Sequence, residues 1–364
     1  MNLSVGIVGL PNVGKSTLFN ALLKKEVADI ANYPFCTIEP NVGIIEVPDD
    51  RLPIIAKIVN TKKIVPAVIQ FYDIAGLVRG ASKGEGLGNQ FLSHIRETAI
   101  IVNVVRFFEN ADIIHVANKI NPADDIEIIE EELILADLAT LAKQKKPRIN
   151  ATKEELFTYE VINLLMAELN KGQTARKLNL STEQIQAVKH LNLLTFKPVI
   201  YVVNVSERQL ENYEETEKKI LEILKSRGEE NSPFVIIDAK LENELLALSE
   251  NEQREYLKQY NLSSSGLNRL IKKSYECLGL ISFLTAGEKE VRAWTIKKGT
   301  LAPQAAGIIH TDFEKHFIKA DVIPYETFVA LNGWTKAREQ GKVETVGRDY
   351  EFQGNEVVEF KIGI

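Results

Sequence analysis

The period of apolar positions changes several times along the chain, and each change marks an element. Residues 5–8 are continuously apolar, as in a strand buried on both faces, and 17–25 then carry Leu18, Ala21, Leu22 and Lys25 at helical spacing. Residues 65–72, 100–108 and 113–116 read as further core strands, as do 197–203 and 234–237. Between the last two a helix is expected over 209–227, stopped at Gly228. Strands alternating with helices predict an α/β fold, a doubly wound and mainly parallel sheet.

That alternation is interrupted. Residues 124–145 are acidic at their start and basic at their end, with Ile126, Ile129, Leu133, Leu138 and Leu141 on one helical stripe. A second amphipathic stretch, 154–171, carries Leu156, Val161, Leu164, Leu165 and Leu169 and stops at Gly172. The two read as an antiparallel helical hairpin with the tip Lys143-Gln144-Lys145-Lys146-Pro147-Arg148. Ser181-Thr182-Glu183-Gln184 is a capping box opening a short helix that ends the insertion. The basic tip suits contact with RNA phosphates and equally suits a solvated turn.

The last stretch changes character again. Strands are expected over 282–285 and 291–296, a helix over 303–319, and a hairpin pairing 350–352 with 357–362 across Gln353-Gly354-Asn355-Glu356. Two strands, a helix and a returning hairpin describe a small β-grasp module. The expected domains are therefore residues 1–122 with 196–280, the helical insertion 123–195, and the C-terminal module 281–364.

Composition narrows the partners. The 364 residues carry a formal net charge of −6, which argues against coating nucleic acid by bulk charge, so any RNA contact must use a local patch. From Ile281 onward 11 Lys/Arg stand against 12 Asp/Glu, so the C-terminal module has no strong basic field either. Two cysteines, Cys36 and Cys277, make neither a disulfide framework nor a zinc spacing and suit a reducing compartment. With no basic-then-apolar leader after Met1 and no apolar run of the roughly 18 residues that span a bilayer, a cytoplasmic protein without membrane contact is expected.

The candidate chemistry begins at Gly9-Leu10-Pro11-Asn12-Val13-Gly14-Lys15-Ser16-Thr17. This is G-x-x-x-x-G-K-S between a strand and a helix, the order a phosphate-cradling loop requires. Lys15 would reach the β- and γ-phosphates as a point charge, and the Ser16 hydroxyl would ligate Mg²⁺. Thr37, in a proline-bounded loop with Cys36, is a candidate to complete the metal shell and meet the γ-phosphate. Asp73-Ile74-Ala75-Gly76 closes a strand as D-x-x-G, placing Asp73 near Mg²⁺ and the Gly76 N–H near the γ-phosphate. Gly80, Gly84, Gly86 and Gly88 follow, with Lys83 among them, in a segment suited to changing conformation when a phosphate leaves.

Two positions depart from ordinary GTPases. The residue after Gly76 is Leu77, where many place a water-orienting glutamine; leucine cannot hydrogen-bond, so slow hydrolysis is expected, with water positioned by backbone, K⁺, a partner or a nearby side chain such as His94 or Asn103. The usual Asn-Lys-x-Asp, whose aspartate takes two hydrogen bonds from guanine, reads Asn204-Val205-Ser206-Glu207, with a longer acid and no covering lysine. Asn118-Lys119-Ile120-Asn121 lacks the aspartate and precedes the insertion, so it is set aside as a decoy.

These stretches, together with Asn32-Tyr33-Pro34-Phe35-Cys36-Thr37-Ile38-Glu39-Pro40-Asn41, Arg292-Ala293-Trp294-Thr295 and residues 306–315, resemble the YchF, or Obg-like ATPase, family over essentially the full length. The resemblance implies a P-loop nucleotide-binding domain, a coiled-coil insertion and a C-terminal TGS domain. It further implies preference for ATP over GTP through the Asn-x-x-Glu motif, slow hydrolysis and association with ribosomes and ribosomal RNA. The implied nucleotide contacts are Asn12, Val13, Gly14, Lys15, Ser16, Thr17, Asn204, Val205, Glu207, Ala239 and Lys240. The implied catalytic set is Lys15, Thr37, Gly76, Leu77 and Asn103, and the Mg²⁺ ligands are Ser16, Thr37 and Asp73. A monomer is expected. Three residues depart from the family: Asn103 stands where a histidine is frequent, Asp238 begins the Asp238-Ala239-Lys240 motif usually begun by serine, and His316 replaces a glycine. A GTP-specific enzyme and a ribosome-binding scaffold without productive turnover are the alternatives.

Overall fold

The structure, a computed structural model, describes residues 3–27, 33, 41–74, 87–108 and 121–363, apart from the side chains of 87–90 and 250. The expectations placed on Cys36, Thr37, Gly76, Leu77, the strand 113–116 and residues 118–120 lie outside the described residues. In chain order the elements are β1 (Ser4–Gly9), α1 (Lys15–Leu23), β2 (Val42–Glu46), α2 (Arg51–Ile58), β3 (Ile64–Val65), β4 (Val68–Asp73), α3 (Leu87–Glu97), β5 (Ile100–Arg106), α4 (Pro122–Ala142), α5 (Lys153–Leu169) and α6 (Thr182–Val188). They continue as β6 (Val199–Asn204), α7 (Glu207–Glu211), α8 (Tyr213–Ser226), β7 (Phe234–Ile237), α9 (Ala239–Leu245), α10 (Glu250–Gln259) and α11 (Gly266–Cys277). The remainder is β8 (Leu280–Ala286), β9 (Val291–Lys297), α12 (Ala302–Ile309), α13 (Thr311–Lys315), β10 (Phe317–Pro324), α14 (Tyr325–Ala330), α15 (Trp334–Glu339), β11 (Glu344–Val346) and β12 (Glu356–Ile362).

Two compact units form. The first comprises Met1–Lys25, Ile38–Gly43 and Gln70–Leu270. Its sheet has the order β2-β4-β1-β5-β6-β7, and β4, β1, β5, β6 and β7 run parallel. Every residue of β1, β5 and β6 is buried, which is why these strands read as unbroken apolar runs. The chain leaves β1 toward β4 and leaves β5 toward β6, so the direction of winding reverses between β1 and β5. In such sheets the ligand crevice lies beyond the carboxyl ends of the strands at that reversal.

The insertion belongs to this unit. Asn121 caps α4 by accepting from the Ala123 N–H, with Pro122 in the first turn; Thr152 and Glu155 form a capping box on α5, and Ser181 and Gln184 form the expected one on α6. Ile134, Leu141, Val161, Leu165, Leu169 and Val188 make the hairpin's core, whereas Leu156 and Leu164 of the expected stripe are exposed. Buried charge ties the insertion to the sheet domain: Arg176 meets Glu130 of α4 and Glu229 after α8, both at 2.7 Å, and Lys177 meets them at 3.0 and 2.9 Å. Asp137 of α4 accepts from the N–H groups of Leu194 and Thr195 at 2.8 and 2.7 Å.

The second unit draws on Glu26–Thr37 and Ile44–Ile69 as well as Ile271–Ile364. Its sheet runs β11-β10-β12-β8-β9-β3 around Phe283, Ile296, Ala305, Phe317, Val322 and Phe352. Two expectations are corrected here. The helix expected over 303–319 breaks at His310, whose backbone is extended, resumes as α13, and from Phe317 becomes a strand. The alternation that signals β10 is disguised by a register shift between Phe317 and Lys319. The expected hairpin partner of β12 is likewise not 350–352 but β10, antiparallel from Phe317↔Ile362 to Pro324↔Glu356. The Glu356 carboxylate accepts from the N–H groups of Gln353, Gly354 and Asn355 at 2.8, 2.9 and 2.8 Å, folding that loop onto itself, and Glu351 makes only a lone bridge with Leu301.

Candidate functional site

The glycine loop sits where the topology predicts, between the carboxyl end of β1 and α1. Gly9 must be glycine because a Cβ there would lie 2.8 Å from the Val104 carbonyl oxygen and 2.9 Å from Val13. Gly14 has φ 95° and caps α1 with no side-chain hydrogen bond, so no capping side chain competes for the first N–H groups of the helix. With the positive end of the helix dipole, such an N-terminus attracts a phosphate. Ser16 and Thr17 are exposed on the first turn, Asn12 adopts a left-handed φ of 64°, and Val13 is buried. Lys15, only 9% exposed, donates to Oδ1 of Asp73 at the end of β4. Lys15 opens α1 and Asp73 ends β4, and the fold brings the two together.

Asn204, at the end of β6, spans two loops. Its Nδ2 donates to the Val13 carbonyl at 2.9 Å and its Oδ1 accepts from the Ala239 N–H at 3.1 Å. The same amide fills the space a Cβ on Gly14 would need, 2.2 Å from that position. Asp238 occupies the motif's serine position and does what a serine would do there: it caps α9, accepting from the N–H groups of Lys240 and Leu241 at 2.9 and 3.1 Å. Burial pushes its carboxyl above the usual range, against those two hydrogen bonds. The Lys240 side chain points to solvent near Glu244, and Val205 is buried.

Glu207 opens α7 with an exposed side chain, and its Oε1 accepts from the Tyr260 hydroxyl at 2.6 Å. Tyr256 stands behind, its hydroxyl 3.5 Å from the same oxygen and 3.4 Å from the Tyr260 hydroxyl. Neither tyrosine follows from a motif or is among the residues expected at the site; the signal the sequence offers is their four-residue spacing, which puts them on one helical face. Asn103 is buried within β5, its Cα paired with Val8 of β1 and Tyr201 of β6, and His94 is exposed on α3. Among the described residues no group of three or more His, Cys, Asp or Glu side chains is placed to hold a metal, and no helix is long and apolar enough to cross a membrane.

A parallel sheet with a glycine loop between its first strand and helix, an acidic strand end beside the loop's lysine, and an asparagine bracing the loop define a P-loop nucleotide-binding protein of the GTPase type, here with an α/β C-terminal unit. Residues 4–134 match the family MMR_HSR1, described as "50S ribosome-binding GTPase", and residues 280–363 match YchF-GTPase_C, described as a protein of unknown function. The chain is 48% identical over 368 residues to the ribosome-binding ATPase YchF of Bacillus subtilis, and 46% identical to those of Haemophilus influenzae over 368 residues and Escherichia coli O157:H7 over 369, each alignment covering 100% of both chains. The solved structure of the Schizosaccharomyces pombe YchF GTPase superposes with a TM-score of 0.85 at 37% identity, covering 99% of this chain and 98% of that one. The chain belongs to the YchF family.

Proposed function

We propose that this protein binds ATP in preference to GTP, hydrolyses it slowly, and acts in the cytoplasm as a monomeric nucleotide-dependent switch on the ribosome, with ribosomal RNA as a contact. The observation that carries the reading is the corner built by Asn204 and Glu207. The asparagine holds the phosphate loop and the Ala239 loop in place, and a glutamate occupies the position from which an aspartate would read guanine. Full-length relatives named ribosome-binding ATPases support it.

In this reading the N–H groups of the loop from Asn12 to Thr17 cradle the phosphates, Lys15 meets the β- and γ-phosphates, and Val205, Glu207, Ala239 and Lys240 border the base. The Ser16 hydroxyl and the Asp73 carboxylate are hard oxygen donors that suit Mg²⁺, with Thr37 as the third protein ligand; the ion, when bound, neutralises charge between the two terminal phosphates. Lys15 and Asp73 now bond each other, and a triphosphate with its cation engages both. Gly76 approaches the γ-phosphate, while Leu77 contributes no hydrogen bond to water, which leaves Asn103, backbone or K⁺ to assist. The helical hairpin 123–195 and the TGS module 281–364 are the parts whose contacts follow nucleotide state.

A GTP-specific reading is second, favoured by the S. pombe relative, which is called a GTPase, and by a glutamate's ability to accept hydrogen bonds. Equilibrium titration of the purified chain with ATP and GTP in the presence of Mg²⁺ decides between them: tighter GTP binding sinks the ATP reading. Lys15→Ala is expected to abolish binding of either nucleotide, and unchanged affinity in that variant refutes the site. Single-turnover phosphate release with and without ribosomes then separates a switch from a scaffold, since a scaffold releases none in either case.

A further inference from the structure

Tyr260 is 8% exposed and ends α10, where its N–H bonds to the Leu257 carbonyl and Leu257 itself is buried. Its ring is therefore held, and of the two acceptors in reach of its hydroxyl Glu207 Oε1, at 2.6 Å, is much nearer than the Tyr256 hydroxyl at 3.4 Å. At 2.6 Å the bond to Glu207 Oε1 falls in the range of charge-assisted O–H···O⁻ bonds, the strong class. Oε2 of Glu207 makes no hydrogen bond to a described residue. Tyr256, with ring centroid 5.6 Å from that of Tyr260, confines the phenol from the side.

We propose that Tyr260 is a positioning residue for base selection: by donating to Oε1 it leaves Glu207 one open oxygen, and so favours a purine offering a single amino group over one offering two adjacent donors. Guanine presents N1–H and the N2 amino group side by side and needs both carboxylate oxygens turned toward it. Adenine offers a single donor there, its N6 amino group beside the N1 acceptor, and Oε2 suffices. Burial, followed by the bond to Glu207, pushes the Tyr260 phenol above its ordinary pKa, so it remains a donor at neutral pH. The inference rests on Glu207 facing the base, as proposed for the nucleotide site.

The test is calorimetric titration of the full chain with non-hydrolysable ATP and GTP analogues plus Mg²⁺. In Tyr260→Phe the ATP:GTP affinity ratio is expected to fall roughly tenfold, about 1.4 kcal/mol, mainly because GTP binds more tightly. Tyr256→Phe, which removes the long contacts of 3.5 Å to Glu207 and 3.4 Å to Tyr260 and leaves the 2.6 Å bond in place, should change it less than about threefold. In Glu207→Ala the ratio collapses, and adding Tyr260→Phe to that background should change nothing further. A ratio within twofold of the unmodified chain in Y260F, while E207A still collapses it, overturns the role of Tyr260 and leaves the base reading standing. A chain without ATP preference, or an E207A variant that keeps it, overturns both. Should Y260F fail to fold, the ¹³Cζ resonance of labelled Tyr260 replaces it: a larger shift with the GTP analogue than with the ATP analogue is expected, and equal shifts refute the proposal.

Discussion

Gly14→Ala tests whether the phosphate loop and the Asn204 brace are one device. A Cβ at Gly14 would lie 2.2 Å from Asn204 Nδ2, so the amide must swing away, and at φ 95° an L-residue is strained in addition. The left-handed conformation costs about 1–2 kcal/mol. Displacing Asn204 removes its bonds to the Val13 carbonyl and from the Ala239 N–H, each worth about 0.5–1.5 kcal/mol, at residues that are themselves buried. The variant should therefore lose roughly 2–5 kcal/mol. Asn204→Ala removes both the obstacle and the two bonds, so Gly14→Ala in that background should cost only the backbone strain. The double-mutant cycle is expected to give a coupling of about 1–3 kcal/mol. Both tryptophans, Trp294 and Trp334, lie in the second unit, so the readout is far-ultraviolet circular dichroism in urea, with nucleotide affinity measured alongside. If G14A costs the same with and without Asn204, to within about 0.5 kcal/mol, the brace and the loop are independent and the reasoning fails.

Arg176→Ala leaves the buried Glu130 and Glu229 with Lys177 and, for Glu130, Arg227 as their remaining cationic partners among the described residues, and should destabilise the first unit by about 3 kcal/mol. In a domain of that size this is roughly 6–12 °C in melting temperature. The loss should depend on pH: burial alone would raise the Glu229 carboxyl, but Arg176, the Ser232 hydroxyl and the other contacts hold it down to about 2. A depressed carboxylate stabilises fully above its ordinary value of 4.5 and loses that contribution as pH falls through about 2, so the gap between R176A and the unmodified chain should narrow in acid. A gap that stays constant from pH 7 to pH 3 in urea titrations rules this out. Asp238→Ala removes the α9 cap and should cost about 1 kcal/mol, whereas Asp238→Ser should restore most of it; if both behave alike in melting experiments, the aspartate is not acting as a cap.

How much of the fold could be read from the chain depended on burial. β1, β5 and β6 lie between parallel neighbours and are buried throughout, so their apolar runs stand out without any alternation to interpret. The capping box at Ser181 is local in sequence and carries its own geometry. β10 is hidden because its bulge breaks period two at the point where a helix has just ended, and the partner of β12 is disguised because the Glu356 loop looks like a turn yet folds back on itself. Pairing between β10 and β12 is a choice among strands, and period alone does not make it. The contributions of α2 and β3 to the second unit were equally out of reach, since nothing local ties residues 51–65 to a segment more than two hundred positions later.

The site divides along the same line. Gly9 and Gly14 are legible because backbone shape demands glycine, and Lys15, Ser16 and Asp73 follow because each stands at a fixed offset from an element end. The departure at Asp238 was visible as a residue, but its action as a helix cap appears only once its two N–H partners are placed. Tyr260 lies 53 residues beyond Glu207 and meets it because α10 packs there. Motif rules describe groups that share an element or a loop; they are silent about a side chain delivered by packing from another. Base choice in this chain is therefore the property least secured by Asn204-Val205-Ser206-Glu207 alone. Substitutions at Tyr260 should move the ATP:GTP ratio while every motif residue is left intact.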